Sequence, residues 1–338
     1  MKIKFFYILG CLSLLYFGCN KNTSKASPKL PYIQVLEPDL LQIIDSNAQI
    51  ETLENGFSWA EGPLWWEEEK ALLFSDVPKN TVYKWTEGKK LETYLHPSGK
   101  TANNSEFNDS GSNGLAFDKD GKLILCMQGD RTLSRMLANP NKPTPDFERL
   151  TDEFAGKMYN SPNDLCVAKN GDIFFTDPTF GMKLLEKDPK RQMTYSGIFL
   201  LKADSSIHLI DSTLWRPNGI ALSPDETKLY VSNSDPTNAM WMEYTLTSQK
   251  RVISKKIFAK AVIDLERAKG YPDGLKVHSH GYVFATGPRG ILIFNTLGIQ
   301  LGTIVTKEVA TNCAFSKDEK TLFVTQHKSV LRIPLIKK

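Results

Sequence analysis

Short apolar runs alternate with clusters of turn-forming residues along most of the chain. Residues 216–235, RPNGIALSPDETKLYVSNSD, show the unit. An apolar run at 220–222 predicts one strand, the turn chemistry of 223–227 a tight reversal, and the β-rich run at 229–231 a second strand. Asn218 stands at the mouth of the first strand, beside a glycine.

The same grammar recurs five more times: WAEGPLWWEEEKALLFSD, GSNGLAFDKDGKLILCMQ, SPNDLCVAKNGDIFFTD, YPDGLKVHSHGYVFATG and ATNCAFSKDEKTLFVTQ. One position carries a carboxylate or an amide in all six units, namely Glu61, Asn113, Asn163, Asn218, Asp273 and Asn312. Fourteen or fifteen residues on from each lie Asp76, Gln128, Asp177, Asn233, Gly287 and Gln326, polar in all but Gly287. A hairpin returns the end of its second strand to the start of its first, so both positions are expected on one face of the structure.

Successive sites lie 52, 50, 55, 55 and 39 residues apart, the length of a four-stranded propeller blade. Paired runs at 72–75 and 81–85, 123–126 and 133–136, and 173–176 and 197–202 fit strands of such blades. No helical period of convincing length falls between them, and 258–269 has room for one short helical turn at most. The fold expected is all-β, a six-bladed β-propeller with four-stranded antiparallel blades, spanning 32–338. The last unit ends with little room for an outer strand, so a strand around Ile50 is expected to complete that blade and close the ring. This topology puts the connections between second and third strands, and those between blades, around the site mouth. Three are long: 96–112, 139–161 and 178–196. The last is charged and reads either as a lid or as a solvated surface insertion.

The chain has 338 residues, 41% of them hydrophobic and 24% charged, which fits one large domain as well as two small ones. Its net charge of +4 comes from interspersed acids and bases with no basic stretch, so nucleic-acid binding has little support. Lys2 and Lys4, an apolar run at 5–17 and Gly18-Cys19 read as a processing segment. That run is too short to span a bilayer comfortably. The pattern resembles a bacterial lipoprotein signal over 1–18, with Cys19 lipidated, a polar tether over 19–31, and a place at the cell envelope on the periplasmic or outer-membrane face. Tyr16-Phe17 is bulkier than such a box usually carries, and an ordinary signal peptide is the alternative. Cys126, Cys166 and Cys313 fall in predicted strands of different repeats and read as buried free thiols, with no spacing that suggests a metal knuckle or disulfide scaffold.

Six inner strands converge on one axis and bring the six equivalent residues into one small volume. Two are carboxylates and four are amides, an oxygen-only set that suits a hard cation such as calcium or magnesium rather than zinc or copper. Asn-Gly and Asp-Gly pairs are ordinary turn formers, but six in register are poorly explained by turns, and Glu61 has no special turn role. A water-filled channel lined by amides is the remaining alternative.

The segments WAEGPLW, SNGLAFDKDGKL, SPNDLCVAKNGDIFFTDP, RPNGIALSPDETKLYVSN and YPDGLKVHSHGYVFATGP resemble, in order, the gluconolactonase and regucalcin-like family of six-bladed propellers, over about 57–335. The resemblance implies one divalent metal at the propeller centre, calcium first among Ca2+, Mg2+, Mn2+ and Zn2+. It implies Glu61, Asn218 and Asp273 as direct ligands, with Asn163 completing the site against the metal or the substrate. It also implies hydrolysis of a sugar lactone, which needs a Lewis acid, a water nucleophile and a base. Asp273 is the expected base, with Asp76 and Asp177 in a second tier. Asn113, Gln128, Arg131, Asn163 and Asp177 are the expected substrate contacts, although Arg131 reads equally as a surface residue. Three departures stand out: Gln128 where relatives often carry His, Thr179-Phe180 where a Pro-Tyr pair is common, and His278 where an Asp is usual. No G-x-S-x-G motif supports a covalent serine route. A monomer acting on a small lactone is expected. The alternatives are a non-catalytic propeller lipoprotein that binds a carbohydrate or partner, and an esterase or arylesterase with a less polar substrate.

Overall fold

The segment 216–235 forms the strands Pro217–Leu222 and Lys228–Asn233, paired antiparallel with Leu222 opposite Leu229. Met240–Leu246 and Val252–Lys260 complete that sheet. These coordinates come from a computed structural model that describes residues 29–101, 110–264, 266 and 269–336. The leader at 1–18, Cys19, most of the tether and residues 102–109 of the first long loop lie outside the described residues.

Five further sheets repeat the arrangement. Their innermost strands are Ala60–Trp66, Ser112–Phe117, Leu165–Val167, Leu275–Val277 and Ala310–Phe315. The six sheets are the blades of a six-bladed β-propeller, numbered here in chain order from Ala60–Trp66. The second strands Ala71–Asp76, Leu123–Met127, Ile173–Asp177 and Val283–Gly287 are buried throughout their length. A strand covered on both faces reads as a continuous apolar run, which is why these segments were legible without alternation.

The expected closure is present. Glu51–Asn55 pairs antiparallel with Ser329–Pro334, so the sixth blade takes its outer strand from the start of the ring. A second contribution was not anticipated: Tyr32–Val35 adds a fifth strand to blade five, and the following 3-10 helix Pro38–Gln42 buries Leu40 against it. The expectation of one long loop over 139–161 is corrected. It holds the outer strand Phe147–Thr151 of blade two and a small hairpin, Glu153–Phe154 with Lys157–Met158.

The core lies between blades rather than inside any one of them. Phe174, Ile198 and Leu200 of blade three pack on Ile220, Leu229 and Val231 of blade four. Ala221, Tyr230 and Trp241 of blade four pack on Leu275, Val283 and Leu292 of blade five. Nearer the axis the contacts turn polar. Hydroxyls near the ends of the second strands donate to carbonyls of the next inner strand: Ser75 to Asn113 O (2.9 Å), Thr176 to Asn218 O (2.7 Å) and Ser232 to Asp273 O (2.5 Å). At the ring closure the donor is instead Thr311, on the inner strand of blade six, which bonds to Ala60 O at 2.6 Å. These bonds satisfy carbonyls that inner strands, at the sheet edge, leave without a ladder partner.

Candidate functional site

The six aligned residues sit where inner strands depart from regular pairing. The register shifts between Glu61 and Leu64, Ser112 and Leu115, Pro217 and Ile220, and Ala310 and Asn312. In the other two blades the inner strand begins only after Asn163 and after Asp273. A residue outside the ladder is free to turn its side chain towards the axis, a common use of such irregularities. Glu61, Asn113, Asn163, Asn218 and Asp273 meet at the floor of a cavity of about 590 Å³. Its walls include Trp59, Val77, Pro78, Ser110, Gln128, Phe180, Arg216, Ser234 and Tyr271, supplied by the connections expected around the mouth.

The floor is electrostatically costly. Glu61 is 3% exposed and accepts the Gly62 amide at 3.1 Å. Burial, reinforced by the charge of Asp164, pushes its carboxyl up to about 8, against hydrogen bonds from Gly62, Trp59 and Asn312. Asp273 is raised well above the usual carboxylate range, first by burial and then by Glu61 and Asp164, with a bond from Asn218 opposing. Asn218 also donates through Nδ2 to Ser234 Oγ at 3.1 Å, which orients its amide.

Asp164 was missed by the sequence reading. It follows Asn163 where four other repeats carry glycine and the last carries Cys313. That substitution of an acid for a glycine, one place beyond an aligned site, was the available signal. Asn312 also departs from expectation. Its Nδ2 faces Asp164 Oδ2 at 3.3 Å and its Oδ1 accepts the Cys313 amide, so it serves the acids as a donor rather than offering oxygen to the cavity.

Among the described residues, two buried polar atoms at the cavity have no partner. Ser110 Oγ donates to Gln128 Oε1 at 2.8 Å, leaving Gln128 Nε2 as an unmatched donor, and Asn113 Oδ1 is an unmatched acceptor. Unpaired groups of this kind cost free energy in an apoprotein and are found where a ligand completes them.

The structure corrects two expected substrate contacts. Asp177 lies outside the cavity wall and accepts the amides of Asn160 (2.7 Å) and Ser161 (2.7 Å). Asp76 does the same for Ser58 and Trp59, and Asn233 Oδ1 accepts the Arg216 amide. In blades one, three and four the second aligned position therefore latches the segment that enters the inner strand, which also removes Asp76 and Asp177 as second-tier bases. Burial pushes the Asp177 carboxyl up to about 7 even so. Arg131 is likewise outside the cavity, donating Nε to Tyr159 O and Nη1 to Lys190 O. Asp177→Ala should lower the unfolding free energy by about 2–5 kcal/mol, because two buried amides lose their acceptor. Urea denaturation measures this. A loss of turnover per folded molecule without a loss of stability would instead return Asp177 to the site.

The segment 178–196 forms one side of the cavity. Phe180 lines it, and Glu186, on the 3-10 turn Leu185–Lys187, takes a bidentate pair with Arg216 at 2.8 and 3.2 Å. The Arg216 guanidinium also lies over the Trp215 ring at 4.6 Å.

Among the described residues no three His, Cys, Asp or Glu side chains are grouped so as to hold a cation by themselves. Any cation here needs the amide oxygens as well. Glu61 and Asp273 with the amides of Asn163 and Asn218 form such a mixed set, and the unmatched Asn113 Oδ1 adds an acceptor beside it. The donors are all hard oxygens, and the repulsion among buried carboxylates would be relieved by a positive charge, so the residues present fit a divalent ion.

Comparison with known proteins identifies relatives of the whole propeller. A gluconolactonase from Zymomonas mobilis is 37% identical over 308 residues, covering 89% of this chain and 85% of its own. The structure of a gluconolactonase from Xanthomonas campestris superposes with a TM-score of 0.77 at 29% identity, covering 93% of this chain and 99% of that one. The calcium-binding protein regucalcin from Agrobacterium tumefaciens shares the fold at 15% identity, with a TM-score of 0.66 over 86% of this chain and 95% of its own. The family model described as the SMP-30/Gluconolactonase/LRE-like region matches residues 59–328, and the chain belongs to that family.

Proposed function

We propose that this protein hydrolyses a sugar lactone at the floor of the axial cavity, with one divalent cation, calcium by preference, held by Glu61, Asn163, Asn218 and Asp273. The observation that carries the reading is the convergence of two buried carboxylates with raised proton affinity and unmatched amide groups at one cavity. The gluconolactonase relatives supply the substrate class.

A cation at this floor would supply Lewis-acid polarisation of the lactone carbonyl. The protein's own groups do the rest. Gln128 Nε2 donates to a substrate hydroxyl and Asn113 Oδ1 accepts from one, so a polyhydroxylated ring satisfies both unmatched atoms. Trp59, Phe180 and Tyr271 face the apolar edges of the ring and exclude bulk water. Asp273 takes the proton from the attacking water as the new C–O bond forms, then returns it to the ring oxygen as the acyl C–O bond breaks. Of the groups at the floor only the two carboxylates can accept a proton, since the amides cannot. An assay of the purified protein against a panel of aldonolactones, with and without chelator, tests the reading. Turnover of simple aryl esters alone would replace it with the esterase alternative.

Cation binding should depend on pH in one direction. With its carboxyl at about 8 in the cation-free protein, Glu61 holds a proton at neutral pH that an incoming cation must displace. Calcium affinity is therefore expected to rise with pH from about 6 through 8, with proton release from Glu61 and from Asp273, whose carboxyl is raised as well. Calorimetric titrations in two buffers of different ionisation enthalpy count the protons. Equal heats in both buffers at pH 7 would argue against the two buried carboxyls as ligands.

A further inference from the structure

The axial column continues below the cavity floor. Asp164 belongs to blade three, yet its carboxylate faces Asn312 Nδ2 of blade six at 3.3 Å and Lys276 Nζ of blade five at 3.9 Å. Contacts between blades that are not neighbours must cross the axis, so these three side chains occupy it. Neither Asp164 nor Lys276 lines the cavity. Lys276 lies three residues farther along its chain segment than Asp273, its side chain is 28% exposed, and Nζ also donates to Leu275 O at 3.1 Å. The column therefore runs from Glu61 and Asp273 at the floor, through Asp164, to Lys276 at the inner end. With every group ionised, as a bound cation requires of its ligands, these residues count three carboxylates and one ammonium, a formal balance of two negative charges.

We propose that Lys276 is a tethered counter-ion of this column, matched so that a single divalent cation at the floor completes its neutrality, and that Lys276 thereby sets the affinity and the stoichiometry of cation binding. The inference rests on the cation site proposed above. Charges inside a low-dielectric channel interact far more strongly than at the surface, so an ammonium beside Asp164 lowers the field that an incoming cation feels. It also occupies the one side of Asp164 where a second ion would otherwise find a carboxylate. A lysine does this permanently, because it cannot be chelated or exchanged.

Calorimetric titration of the EDTA-stripped protein with CaCl2, together with thermal unfolding in EDTA and in calcium, tests the idea. The wild type should take one calcium. Lys276→Met should bind calcium roughly tenfold tighter or take a second ion, and Lys276→Arg should restore the wild-type values. The calcium-induced rise in Tm should be larger in Lys276→Met than in the wild type, since a cation bound more tightly stabilises the folded state more. A Lys276→Met protein with one calcium, unchanged affinity and the same loss of Tm with and without calcium would show a purely structural lysine and overturn the proposal. If Lys276→Met does not fold, Asp164→Asn carries the test: calcium binding should weaken by about tenfold, and unchanged affinity overturns the proposal. A wild type that binds no calcium removes the cation site itself, whereas one calcium indifferent to Lys276 and Asp164 removes only this inference.

Discussion

Asp273→Asn is expected to lower lactone turnover by about 10²–10⁴-fold, the usual worth of a general base. The substitution keeps an oxygen at the cavity floor and removes the proton acceptor. Glu61→Gln is the control, because it removes a comparable buried charge from the same cluster. If Asp273 acts as both ligand and base, excess calcium restores Glu61→Gln and leaves Asp273→Asn slow. Equal losses that both recover at high calcium would make Asp273 a ligand only. The base would then be solvent, since Asp76 and Asp177 are engaged with backbone amides. The same pair makes a prediction about stability. In chelator at neutral pH both variants should unfold at a higher temperature than the wild type. Each replaces a buried carboxyl whose ionisation is opposed by burial and by neighbouring acids with a neutral amide. A site that is less stable for being functional is the expected signature of such a cluster.

Gly219→Ala is expected to be strongly destabilising, costing about 3 kcal/mol or more. A methyl group there would lie 2.4 Å from Asp273 O, 2.6 Å from Gly274 Cα and 2.8 Å from Leu275 N. All three are backbone atoms of the neighbouring inner strand, so no side-chain rotation relieves the clash. Blade four would have to move away from blade five, lengthening the Ser232 to Asp273 hydrogen bond and shifting the floor. Gly121→Ala is the comparison. It meets no atom within 4 Å and bears only the strain of φ +73° in its hairpin turn, about 1 kcal/mol. Denaturant midpoints of the two variants measure the difference. Similar midpoints would mean that inner strands are not held at contact distance.

The repeat, the blade count and the ring of six aligned residues were legible in the chain, and so was the strand that closes the sixth blade. Strand runs and turn residues are local properties, and their spacing carries over directly to a structure built from one repeated unit. The five-stranded blade was not legible, because Tyr32–Val35 pairs with a strand some 270 residues away and carries no repeat signature.

Within the site the division follows the same physics. The aligned position declared which residues face the axis, and Glu61, Asn113, Asn163, Asn218 and Asp273 do meet there. The aligned second position was real as a pattern, yet its residues at Asp76, Asp177 and Asn233 serve backbone amides. Register alone does not distinguish a side chain that turns to the cavity from one that turns back onto its own chain. Asp164 and Lys276 show the converse. Neither belongs to the aligned sets, and they meet because blades three and five both reach the axis. Strand runs, turns and their spacing specified the scaffold and the residues at the cavity floor. The tertiary structure decided which of their polar atoms are already satisfied, since hydrogen bonds and charges act through space between blades far apart in the chain.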